Sequence, residues 1–88
     1  MLTFTEYEFI KAGVKVGCGD AGKIQSFKGR GLCKKCETEP TCKKKCDEDN
    51  SCTYLWVRPS SKKCVLYSSC DGQSEQYVGK QFKKKQGL

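Results

Sequence analysis

The chain has no histidine, one tryptophan and two prolines in 88 residues. Without His it lacks the usual general base near neutral pH and the commonest zinc ligand. It holds no unbroken run of about eighteen apolar residues, so no transmembrane helix is predicted. Hydrophobic residues make up only 36% and mean hydropathy is −0.68, which excludes a large core. No GxSxG and no Gly-rich loop opening a helix occurs, so neither hydrolase nor phosphate-transfer chemistry is signalled. Glu6 and Glu8 share a face of a predicted strand, but such a pair reads as a solvated edge, and no enzyme is expected. The opening stretch MLTFTEYEFIKAG has acids where a signal peptide needs a basic start and an apolar stretch. A signal peptide is therefore expected to be absent, with the chain a mature piece or an excised module and Met1 an added residue.

Cysteine is abundant: 8 in 88 residues, a density that reads as a disulfide scaffold in a short chain. A domain this small buries too little apolar area to outweigh chain entropy unaided, so covalent closure of the unfolded state must contribute. An even count fits four bridges. Such bridges persist in oxidising compartments, so secretion is expected.

Residues 1–15 carry aromatic and β-branched residues among polar ones and read as an N-terminal segment with the first strand, broken near Ala12-Gly13. Five glycines within 17–31 mark turn-rich chain around one short strand containing Ile24 and Phe27. The segment Thr38 to Glu48 is the helix candidate, with Thr38 as the N-cap, Glu39 and Pro40 in the first turn, and Asp49-Asn50-Ser51 ending it. Cys42 and Cys46, four apart, face one side. Thr53–Arg58 and Lys63–Tyr67 read as a hairpin turning at Pro59–Lys62, and a last strand covers about Gln76 to Phe82. Residues 84–88 are expected to form a mobile tail. One helix on a small antiparallel sheet makes an α+β module.

Reach limits the pairing of the helix cysteines. Cys46 sits near the helix end, and the chain returns to Cys52 within six residues. Cys42, one turn earlier, can reach Cys64 on the second hairpin strand. Closing that loop of about 23 residues contributes roughly 3 kcal/mol by restricting the unfolded chain.

The pattern Cys42-x3-Cys46-x5-Cys52, then Tyr54-Leu55-Trp56-Val57, then Cys64-Val65-Leu66 resembles the PAN/apple family. Gly79-x-x-Phe82-Lys83 is similar to that family's closing strand, and Gly17-Cys18-Gly19-Asp20 to its opening. The resemblance covers residues 16–85, with the module itself placed at 16–83, and is specific over 38–66. It implies the pairs Cys42–Cys64 and Cys46–Cys52. The chain departs from plasma apple modules in offering Phe9 and Lys85 where they tie their first and last strands by a bridge. Cys18, Cys33, Cys36 and Cys70 are additional, pairing either as Cys18–Cys70 with Cys33–Cys36 or with the latter two exchanged between longer bridges. Their number and the many lysines resemble the tandem apple modules of apicomplexan microneme adhesins, which act in host-cell invasion.

Cys33-Lys34-Lys35-Cys36 is a CxxC, but no βαβ pattern supports a redox role. A zinc site would need a second pair such as Cys42 and Cys46, which conflicts with the apple pattern. No metal and no cofactor is expected. Lys34, Lys35, Lys43, Lys44, Lys45, Lys62, Lys63 and Lys80 are candidates for a polyanion surface suited to heparin or another sulfated glycosaminoglycan, or else they simply keep a chain of net charge +7 soluble. Three consecutive helix lysines spread over about 200°, too wide for one stripe. Nucleic acid is not expected. Tyr54, Trp56 and Tyr67 either stack on a galactose ring or fill the core under the helix, and core is the better reading. A lectin site would then use Lys62, Asp71, Gln73 and Tyr77.

The sequence thus predicts a secreted, non-catalytic adhesion module held in a microneme before release. Its expected partners are a host-cell surface protein or glycan and neighbouring modules of the same chain, without membrane insertion. The competing readings are a non-binding spacer in a tandem array and a zinc or redox cysteine protein.

Overall fold

The computed structural model describes residues 6–28, 37–72 and 77–85. Among them run β1 (Glu6–Gly13), β2 (Lys23–Lys28), α1 (Thr38–Glu48), β3 (Tyr54–Arg58), β4 (Lys63–Tyr67) and β5 (Gly79–Lys85), with a 3-10 turn at Pro59–Ser61. The strands form one antiparallel sheet in the order β1-β5-β3-β4-β2, with the hairpin β3–β4 central and β1 and β2 at the edges. This is a small disulfide-rich α+β module.

Alternation along β3 sets up two cores. Leu55 and Val57 face α1 and pack with Cys42, Cys46, Cys64, Leu66 and Phe82. Trp56 points to the other face, among Val16, Cys18, Val65 and Tyr67. The expectation that Trp56 fills the core under the helix is therefore corrected. It is fully buried, but beneath the segment that follows β1, which folds back and is pinned by Cys18–Cys70. Gly79 lies against the Trp56 indole so closely that a Cβ there would collide with the ring.

Helix α1 begins as predicted, but its cap differs. Glu37 is the N-cap, extended at φ −69 and ψ 141 with no side-chain cap bond. Thr38 is already helical and buried, and Thr41 Oγ1 instead donates to the Glu37 carbonyl at 2.7 Å. At the other end Asp49 Oδ1 accepts from the Ser51 N–H at 2.9 Å, which turns the chain toward Cys52.

The closing strand also runs later than predicted. Gln76 lies outside the described residues, and β5 continues through Lys85, so Lys84 and Lys85 belong to the sheet rather than to a tail. They pair with Tyr7 and Glu6 of β1. Lys84 Nζ donates to the Cys46 carbonyl at 2.9 Å, a cation at the negative helix end. Phe9 meets Phe82, not Lys85, with ring centroids 5.7 Å apart in an edge contact. An aromatic pair thus joins the first and last strands.

Candidate functional site

Three bridges are formed among the described residues: Cys42–Cys64, Cys46–Cys52 and Cys18–Cys70. The first two tie successive turns of α1 to the sheet and to the chain entering β3. Cys42 and Cys46, which a zinc site would have needed as thiolates, are consumed in them. Cys33 and Cys36 lie outside the described residues, as do Lys34, Lys35 and Gln73.

Gln81 organises the far face. It is 2% exposed, and its Nε2 donates to the Val16 carbonyl at 2.8 Å while lying 3.0 and 3.1 Å from the Cys18 and Cys70 sulfurs. The amide thereby fixes the returning segment over Trp56 without leaving its own donors unpaired.

The predicted polyanion lysines are dispersed. Lys43 sits over the Phe82 ring at 4.3 Å and pairs with Glu39 at 3.2 Å. Lys45 covers Phe27 at 5.3 Å on the opposite flank of the helix. Each of these two ammonium groups thus lies over an aromatic ring. Lys80 also approaches Glu39, at 3.9 Å. Lys44 alone of the helix trio is exposed.

A different cationic grouping appears where the hairpin turns. Arg58 on β3 pairs in register with Lys63 on β4, which pairs in turn with Lys28 on β2. Neighbouring strands are about 4.8 Å apart, so the three cations make a cross-strand row on the Trp56 face. Lys62, left-handed at φ 50, precedes the row. Beside it opens a cleft of about 460 Å³ lined by Glu37, Thr38, Glu39, Pro40, Pro59 and Lys62. Its two glutamates make the cleft itself unfit for an anion, so an anion is favoured on the row and not in the cleft. Tyr77 is 57% exposed, and the Arg58 guanidinium lies over its ring at 4.4 Å. Lys28 and Arg58 were missed from sequence because neither belongs to a lysine run; only the strand register brings them to Lys63.

The aromatic lectin site is not assembled. Trp56 and Tyr67 are fully buried, and half-buried Tyr54 carries Lys83 at 5.7 Å from its ring. Of the loop alternatives, Asp71 and Tyr77 are exposed and Lys62 lines the cleft. Glu6 and Glu8 lie opposite Lys85 and Lys83, a charge-matched strand pair rather than an acid/base couple.

Among the described residues, the Tyr7 hydroxyl is held in its protonated form by its surroundings. Burial first, and then the Asp47 carboxylate that accepts a hydrogen bond from its hydroxyl, push its pKa far above the ordinary tyrosine range. The same hydroxyl lies 2.8 Å from the Lys43 carbonyl, so Tyr7 ties β1 to α1.

Compared with family models, curated proteins and solved structures, the chain matches none.

Proposed function

We propose that this chain is a secreted, non-catalytic recognition module of PAN/apple type, of the kind found in microneme adhesins, and that it binds an anionic glycan on a host-cell surface. The observation that carries the ligand class is the row Lys28, Lys63 and Arg58, with exposed Tyr77 beside it. Cations brought into register across strands concentrate positive charge, with Lys63 over the Trp56 ring at 5.7 Å and Arg58 over Tyr77, and a chain of sulfates or carboxylates laid along them is complementary to that charge. Tyr77 adds a ring edge on which a sugar can rest. The bridges Cys42–Cys64 and Cys46–Cys52 support the apple reading and an oxidising compartment.

The test is a glycan array carrying sulfated and galactose-terminated glycans, read at low and physiological salt. Binding to sulfated glycans that weakens as salt rises is expected. Salt-insensitive binding to galactose would move the site to Tyr77 and its loop. A blank array would contradict the glycan reading and favour a protein partner or a spacer role.

A further inference from the structure

We propose that β1 is a self-association edge, and that two copies of this chain pair antiparallel through their β1 strands to join two sheets into one. The inference goes beyond glycan recognition and does not depend on it.

β1 uses one side to pair with β5, and among the described residues no strand pairs with its other side. An open edge is a template for another strand, and natural edges are guarded by charges or bulges. This edge is also apolar where it is open: Phe9 is 54% and Ile10 39% exposed, and Val14 just beyond is 60% exposed.

The guards present are Lys11 and a bulge between Phe9 and Lys11. The bulge has a second effect. Glu8 lies opposite Lys83 and Lys11 opposite Gln81, two residues apart on β5. Glu8 and Lys11 therefore share one face, although three apart in sequence, where a regular strand would split them. Placing a dyad between Phe9 and Ile10 sets Glu8 of each copy against Lys11 of the other, and Phe9 against Ile10. Opposite charges directly across a strand pair are favourable and like charges are unfavourable. Lys11 thus repels or strands an ordinary partner but is matched by this chain's own Glu8. The complementarity selects a second copy, in a two-fold arrangement in which each patch meets itself. A single strand pair is small beside the roughly 1,200–2,000 Å² of stable complexes, so the dimer belongs to the weak, reversible class.

The experiment is sedimentation equilibrium of the oxidised full chain, from roughly micromolar to millimolar protein. It is run at physiological ionic strength, where charge repulsion is screened beyond about 8 Å. The wild type should dimerise reversibly. Glu8→Lys and Lys11→Glu each create two like-charge pairs at the dyad, and each should raise the dissociation constant about tenfold or more. Mixed together, the two variants restore both opposite-charge pairs and should associate about as well as the wild type. Circular dichroism checks that each is folded; because Glu8→Lys also faces Lys83, Lys11→Glu alone carries the test if Glu8→Lys does not fold. A wild type that stays monomeric at millimolar concentration would overturn the proposal. So would a Lys11→Glu variant that associates like the wild type, or a mixture that fails to rescue.

Discussion

Tyr7 shows how one side chain joins two elements and makes stability depend on pH. Its hydroxyl donates to Asp47 on α1, and burial together with that carboxylate raises its pKa. An unfolded tyrosine ionises near pH 10. The folded chain holds the proton where the unfolded chain gives it up, so the contribution is complete below about pH 10 and is lost as pH rises above it. Tyr7→Phe should cost about 1 kcal/mol near neutrality by removing the hydrogen bond. The gap between wild type and Tyr7→Phe should then narrow between about pH 10 and pH 11, measured as denaturant midpoints. A gap that stays constant across that range would show that Tyr7 does not couple to folding. Sequence offered no sign of this role, because the partner on α1 lies 40 residues away.

At the scale of elements, the three bridges close loops of very different length, with sequence separations of 52, 22 and 6. If restriction of the unfolded chain dominates, removing them as alanine pairs should cost about 4, 3 and 2 kcal/mol respectively. Chemical denaturation of the three double variants checks the order. Equal losses, or the largest loss at Cys46–Cys52, would mean that native packing around each sulfur outweighs loop closure. Much at this scale was readable from sequence. The spacing of Cys42 and Cys46 marked the buried helix face, and the runs around Trp56 and Val65 marked the central hairpin. What was not readable depends on distant contacts. Alternation separates Trp56 from Leu55 but does not say which face the helix takes, and here the segment after β1 covers the other. The lysines of β5 read as a solvated tail because their strand status depends on β1, more than 70 residues earlier in register. Thr38 looked like the cap because sequence weighs side-chain type, whereas the chain direction at Glu37 sets the start.

For the whole molecule, charge is arranged by topology more than by runs of lysine. Lys43 and Lys45 of the helix lie over rings, and Lys43 also pairs with Glu39, while strand order assembles Lys28, Lys63 and Arg58 from three separate segments. The candidate site was therefore only half legible: Lys62 and Lys63 were foreseen, and Lys28 and Arg58 were not. In the proposed function this row receives an anionic glycan. The most direct measurement is calorimetric titration of a size-defined heparin oligosaccharide into the wild type, a Lys28→Gln/Arg58→Gln variant and a Lys44→Gln control, each at low and physiological salt. Wild-type binding should weaken steeply with salt, and the double variant should lose about tenfold in affinity, on the order of 1.4 kcal/mol, with the Lys44→Gln control close to wild type. Equal affinity for the double variant and the wild type, or no binding by the wild type at low salt, would contradict the proposed function.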